Sequence, residues 1–299
     1  MKKLLLMAGF ALLAASCSHD ESLDSSVNLS NAKALAPVTV RVSDFSMTQE
    51  DFPATRATQA AADYSDVKAL TLAFYQGSTE VYKVTQLKDD TSTFTTFGEF
   101  SLSLPFGSYT MVVLGYYLST NEPAITLTSP TTATFGDYPA RETFVATNTV
   151  NVTNSNALDI SATLNRIVSK LQVVSSDVRT AGATKVRMSF AAGGKSFNPT
   201  TGLATSDGGF SNAVTISTNV GAISRSNTFL FLASNVQNMD VTIQTLDADD
   251  NVLFSKTVQN VPFQRNRVTK LTGAIYTNSS VSGAFQLETN WADQYEGTF

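Results

Sequence analysis

Residues 94–117 read FTTFGEFSLSLPFGSYTMVVLGYY. Phe94 to Leu104 and Tyr109 to Tyr117 have strand character, and Pro105-Phe106-Gly107-Ser108 between them is a Pro/Gly turn. Together they predict a β-hairpin. The same texture extends outward. Upstream, Val38, Val40 and Val42 alternate with Thr39, Arg41 and Ser43, the period of a half-buried strand. Val67 to Tyr75 (VKALTLAFY) is a more continuous apolar run, as in a buried strand, and Val81 to Leu87 alternates again. Downstream, strands are expected at Leu158–Val174, Lys185–Ala191, Ala213–Thr218, Thr228–Ala233, Val241–Leu246, Val252–Val258, Val268–Tyr276 and Ala284–Trp291.

No segment sustains a 3.6-residue period, and only Thr58 to Val67 could form one short helix. Leu118 to Glu142 is long, polar and rich in Thr, with three Pro, and reads as a functional or disordered loop. Composition agrees with an all-β fold. Of 299 residues, 42% are hydrophobic, 39 are Thr and 33 are Ser, while Phe (19) and Tyr (9) far outnumber the one Trp. A boundary near Asn154 to Leu158 divides the body into two β-sandwich-sized pieces, 37–156 and 157–299.

The scarce residues exclude whole classes of chemistry. The one Cys (Cys17) and the one His (His19) both lie in the first 20 positions. A body without them has no Ser-His-Asp triad, Cys-His pair, His/Cys zinc site or haem site. Gly194-Lys195-Ser196 resembles a P-loop fragment, but Ser189 stands where that motif needs Gly, so a turn is expected. Asp247-Ala248-Asp249-Asp250-Asn251 lacks the Gly and terminal Glu of an EF-hand and reads as a hairpin turn. No specific carboxylate pair marks a glycosidase. Tyr116, Tyr117 and Tyr138 are possible sugar platforms, although Tyr more often packs at a sheet surface. The chain therefore reads as a non-enzyme, with no cofactor and no metal. Its 20 basic and 25 acidic residues give a net charge of −5, which disfavours nucleic acid and anionic membranes as partners.

The first 16 residues, MKKLLLMAGFALLAAS, combine Lys2 and Lys3 with a short apolar core and small residues. That is a signal peptide, and Leu13-Ala14-Ala15-Ser16-Cys17 resembles a bacterial lipobox with lipidation at Cys17. Residues 17–36 begin polar and acidic, as a flexible tether and a surface-export signal would. Arg56, followed by Ala57, lies in a polar stretch between two predicted strands, where proteases cut. At the other end Phe285, Leu287, Thr289 and Trp291 alternate with Gln286, Glu288 and Asn290 as one amphipathic strand. Cleavage after Arg56 would release the Val38–Val42 strand and open a groove that a terminal strand of another subunit could fill. Equally, Arg56 could be an ordinary linker residue, with the last strand folded back on its own domain.

Six segments taken together resemble the fimbrillins of the Bacteroidales, the FimA-type subunits of type V pili. They are the lipobox at Cys17, Thr55-Arg56-Ala57, the turn 104–109 (LPFGSY), 164–171 (LNRIVSKL), 261–269 (VPFQRNRVT) and the Trp291 strand. The resemblance implies two transthyretin-like β-sandwich domains in tandem, secretion as a lipoprotein, and outer-membrane or fimbrial display. It also implies removal of residues 37–56 by an Arg-specific protease and polymerisation by strand exchange. Arg56 would then be the cleaved residue and Val38, Val40 and Val42 the departing strand, with Phe285, Leu287 and Trp291 on the donor face. The partners implied are other pilin subunits and a host or bacterial surface receptor, with membrane contact only through the lipid of the precursor. The role expected is that of a stalk or accessory tip subunit; the alternatives are a non-polymerising anchor and a surface glycan-binding lipoprotein.

Overall fold

The computed structural model describes residues 34–47, 57–59, 64–90, 92–120, 122–217, 219–277 and 286–288. Every regular element in them is a strand, so the fold is all-β. The first half carries β1 (Leu35–Met47), β2 (Ala57–Gln59), β3 (Ala69–Gln76), β4 (Thr79–Leu87), β5 (Glu99–Pro105), β6 (Gly107–Tyr116), β7 (Thr126–Ser129), β8 (Thr132–Thr134), β9 (Thr143–Val152) and β10 (Leu158–Arg166). The second half carries β11 (Ser169–Ser175), β12 (Lys185–Phe190), β13 (Ser196–Asn198), β14 (Leu203–Ala204), β15 (Phe210–Thr215), β16 (Arg225–Leu230), β17 (Val236–Leu246), β18 (Val252–Gln264), β19 (Val268–Gly273) and β20 (Gln286–Glu288).

The largest sheet has eight strands in the order β2-β1-β10-β9-β6-β3-β4, with β5 attached to β1. Its two parts meet at only two residue pairs, Asn165 with Val145 and Arg166 with Phe144. The sheet therefore folds over, and β10-β1-β5 faces β9-β6-β3-β4. Between them lies one core that includes Val38, Val40, Leu72, Phe74, Met111 and Leu164.

The quoted stretch 94–117 does form strands, but not a hairpin. β5 pairs with β1, and β6 pairs with β3 and β9. Pro105-Phe106-Gly107 is a corner that carries the chain from one part of the sheet to the other. The Tyr109 hydroxyl pins it by donating to the Pro105 carbonyl at 2.6 Å. A Cβ on Gly107 would lie 2.5 Å from Gln76 Nε2, the end of a flexible, exposed side chain that can swing aside.

β3 and β6 lack alternation because both faces are covered. Leu70, Leu72 and Phe74 enter the first core, whereas Ala69, Ala73 and Tyr75 enter a second. That second core is roofed by a four-stranded sheet, β14-β13-β8-β7. Leu118–Glu142 is thus no structureless loop. It contributes β7, β8 and the buried Ile125, Leu127, Ala133, Phe135 and Ala140. Sheets β16-β11-β19-β20 and β15-β12-β17-β18 enclose a third core that includes Leu171, Met188, Phe190, Ile243 and Phe263.

The expected boundary between residues 156 and 157 cuts the first sheet, since β10 pairs with β1 and β9. The chain changes sheets at Ile167–Val168, between β10 and β11. The small roof sheet also joins the halves, because β8 pairs with β13. Contacts place the described residues from Ala34 onward in one unit. Thr58 to Val67 is not a helix where it is described: Thr58 lies in β2 and residues 65–66 form a turn. As expected, Asp247–Asn251 is a hairpin turn. Asp247 Oδ1 accepts the N–H groups of Asp249 and Asn251, both at 2.9 Å, and these bonds, with the Asn251 side-chain amide first among them, hold the Asp247 carboxyl below its ordinary range.

Candidate functional site

β1 is an inner strand. On one side Val38 to Ser46 run parallel to Leu158–Asn165 of β10, with a bulge between Val42 and Asp44. On the other side Leu35 to Arg41 run antiparallel to β5, and Phe45 to Met47 pair with β2. Alternation sends Ala36, Val38, Val40 and Val42 into the core, at 0, 1, 0 and 7% exposure. Each buried Val contributes about 1.5–3 kcal/mol of transfer free energy. On the solvent face Arg41 reaches across both neighbours, to Glu99 of β5 at 3.2 Å and Asp159 of β10 at 3.1 Å. These pairs are exposed and add little stability. Apolar burial and two ladders of backbone hydrogen bonds hold the strand. Among the described residues β5 pairs with β1 alone, and that pairing ties it to the sheet.

Of the two residues expected at the processing site, Ala57 opens β2, in register with Met47 of β1. Arg56 and Cys17 lie outside the described residues, as do Phe285 and Trp291. Leu287 is the centre of β20, which pairs antiparallel with β19 at Lys270, Leu271 and Thr272. The C-terminal strand is therefore held on its own half at three positions.

A polar cluster not indicated by any motif lies beside β10. Arg166 Nη2 stands 2.7 Å from Glu142 Oε1, and both side chains are buried. The Tyr64 hydroxyl donates to Glu142 Oε1 (3.1 Å) and accepts from Arg166 Nη2 (2.8 Å). The Arg166 guanidinium also lies over the Phe144 ring, at 5.0 Å. Arg166 Nη1 donates to Asn266 Oδ1 at 3.2 Å, linking β10 to the turn between β18 and β19. Burial pushes the nearby Lys170 ammonium below its ordinary value; Glu142 opposes that shift and Arg166 adds to it. This is how the segments 164–171 and 261–269, far apart in the chain, come together.

Of the three possible sugar platforms, Tyr116 is fully buried, and its hydroxyl hydrogen-bonds to Thr71 and accepts the Ile125 N–H. Tyr117 and Tyr138 are partly exposed. Among the described residues there is no His or Cys, and no group of three or more Asp and Glu is placed to hold a metal ion.

No curated protein matches the sequence. Among solved structures, the chain is similar to the fimbrial anchor protein Mfa2 from Porphyromonas gingivalis, with 13% identity, 86% of this chain and 97% of that chain covered, and a TM-score of 0.48. It is similar to a candidate adhesin from Bacteroides ovatus, with 11% identity, 83% and 88% coverage and a TM-score of 0.48. It is also similar to candidate polysaccharide binding proteins (DUF1812) from Bacteroides thetaiotaomicron, with 10% identity, 80% and 92% coverage and a TM-score of 0.47. The profile of a family of unknown function, DUF6562, matches residues 36–298, nearly the whole body of the protein, and the chain belongs to that family.

Proposed function

We propose that this protein is a structural subunit of a cell-surface pilus, a stalk or accessory tip pilin that supports adhesion. It is exported as a lipoprotein through Cys17, displayed at the outer membrane, cut after Arg56 by an Arg-specific protease and polymerised by strand exchange. Its two sandwiches are the transthyretin-like pair that the fimbrillin resemblance implies. Its partners are other subunits and a surface receptor.

The observation that carries this reading is the position of β1. A strand near the start of the chain is inserted between β5 and β10, and the chain returns at Ala57 immediately after the proposed cleavage bond. Its loss opens a groove with backbone donors and acceptors on two sides and apolar pockets at the places of Ala36, Val38, Val40 and Val42. Another extended chain, parallel to β10 and antiparallel to β5, fits such a groove. A C-terminal segment that detaches from β19 at three positions is the proposed donor, and head-to-tail transfer builds a filament.

The test compares wild type with Arg56→Ala on the surface of the producing cell. For wild type, intact mass and N-terminal peptides should give a chain beginning at Ala57, with ladders of SDS-resistant polymer. Arg56→Ala should remain full-length from an acylated Cys17 and monomeric. Polymer formed by Arg56→Ala would refute cleavage at this bond. A wild-type chain that keeps its acylated Cys17 would favour an anchor or a glycan-binding lipoprotein.

A further inference from the structure

If β1 leaves as proposed above, the strand that replaces it must suit the two strands on either side. Their outer faces carry a distinct charge pattern. Arg41 is directly opposite Glu99 of β5 in the antiparallel register. Asp159 of β10 is matched with Thr39, two positions before Arg41, and lies diagonal to it across the parallel ladder. The guanidinium reaches both carboxylates, Nη2 to Glu99 Oε1 at 3.2 Å and Nη1 to Asp159 Oδ1 at 3.1 Å. Together they raise the Arg41 pKa, the hydrogen bond to Asp159 contributing most.

β5 and β10 hold one further charged residue, Arg166, seven positions along β10 from Asp159 and buried in its ion pair with Glu142. Without β1 the rim of the groove therefore presents two carboxylates and no cation of its own. A replacement strand with Lys or Arg at the place of Arg41 restores the cross-strand pairing. One with Asp or Glu there sets like charges side by side, and the difference discriminates between strands.

The inner face is equally selective. Ala36, Val38, Val40 and Val42 are all buried, so the four inward places hold one methyl group and three isopropyl groups. Larger side chains there would overpack the first core.

The C-terminal segment of this chain matches neither face. By alternation Phe285, Leu287, Thr289 and Trp291 share one side. Each register that seats this segment with that side inward sets a Phe or Trp into a place that holds Ala or Val. From Leu271 to Phe299 the sequence has no Lys or Arg, and it has three acidic residues, Glu288, Asp293 and Glu296.

We propose, on the basis of the strand-exchange reading, that the groove left by β1 accepts a strand from a different kind of subunit. That strand carries Lys or Arg between Glu99 and Asp159 and small or β-branched residues on its inward side. The C-terminal strand of a second copy is not the occupant. This chain's own C-terminal strand serves the groove of another subunit, and the filament is mixed.

The experiment uses the full-length secreted chain, cut after Arg56 by an Arg-specific protease that is then inhibited. Labelled peptides are offered at low ionic strength, and their incorporation is read by native electrophoresis. They are the β1 sequence Ala34–Met47, its Arg41→Glu form, and Gly283–Tyr295. The β1 peptide should enter, and Arg41→Glu should weaken its binding by about fivefold or more, the scale of two exposed ion pairs replaced by two like-charge contacts. Gly283–Tyr295 should not enter. In the double variant Glu99→Lys/Asp159→Lys, altered only at side chains that reach solvent, the order of the first two peptides should reverse. Equal entry of those two peptides, or an unreversed order in the double variant, would overturn the requirement for a cation while leaving strand exchange intact. Ready entry of Gly283–Tyr295 would overturn the choice of a different subunit in favour of a second copy. Exclusion of even the β1 peptide would overturn strand exchange at this groove, and the proposal with it.

Discussion

Glu142 and Arg166 form an ion pair at 2.7 Å with both side chains closed off from water, and Tyr64 bridges the two. Removing one member leaves the other buried without its charge partner. Glu142→Ala should cost about 3–5 kcal/mol of stability. Tyr64→Phe keeps the ion pair and removes the bridging hydroxyl, and should cost about 1–2 kcal/mol. Urea unfolding with an unchanged m-value and a lowered midpoint would check both; equal losses from the two variants would contradict the ranking.

The Tyr75 hydroxyl is buried with no hydrogen-bond partner among the described residues. Burial, reinforced by the charge of Glu80, pushes it up to about 12 from an ordinary 10. Below pH 10 the phenol is neutral in both folded and unfolded chains. As pH rises from 10 to about 12 the unfolded chain loses this proton and the folded one keeps it, so stability falls across that window. Tyr75→Phe should raise stability near neutral pH by about 1 kcal/mol and make the alkaline decline shallower. Midpoints of chemical unfolding at pH 8 and pH 11 provide the comparison. A variant less stable than wild type at both would refute the argument.

Gly202 should not tolerate a side chain. Its φ is +70°, and a Cβ would meet Ile167 Cγ2 at 2.8 Å as well as Arg265. Gly202→Ala is expected to cost about 1–3 kcal/mol, visible as a lowered melting temperature.

Val40→Asp would put a carboxylate into the first core between β5 and β10. The expected loss is about 3–5 kcal/mol, as for other uncompensated buried charges. The effect should be local at first. Amides of Glu99–Leu104 should lose hydrogen-exchange protection, because among the described strands only β1 pairs with β5, while β12 and β17 keep theirs. Uniform loss of protection across both halves would argue against this local role.

Particular residues show which parts of this architecture can be read in advance. Val67–Tyr75 stands out because a strand covered on both faces is almost continuously apolar, here interrupted only by Lys68 and Thr71. Val38, Val40 and Val42 stand out for the opposite reason, since one face is wet. β9 escapes notice although Phe144, Ala146, Val150 and Val152 point to one core, because Thr and Asn fill the intervening positions. β7 and β8 are hidden in the same way by Thr. Pairing is harder still. A Pro-Phe-Gly corner and a Pro/Gly hairpin turn use the same residues, and the true partner of Leu102 is Val38, far back in the chain. The Tyr64–Glu142–Arg166 cluster has no spacing signature, since folding alone assembles it from distant segments. Cys17 and Arg56, the residues proposed for lipidation and cleavage, like Phe285 and Trp291, are legible as motifs but lie outside the described structure.

The parallel pairing of β1 with β10 also sets a clock. Phe45 is matched with Leu164, 119 positions later. A chain that emerges N-terminus first at about 5–20 residues per second makes Leu164 roughly 6–24 s after Phe45, so the side of β1 that faces β10 waits over that interval. β2 and β5 can dock sooner along the other side of β1, but its remaining side is covered only when β10 arrives. The first of the described strands is thus locked in only when the last strand of the first half is made.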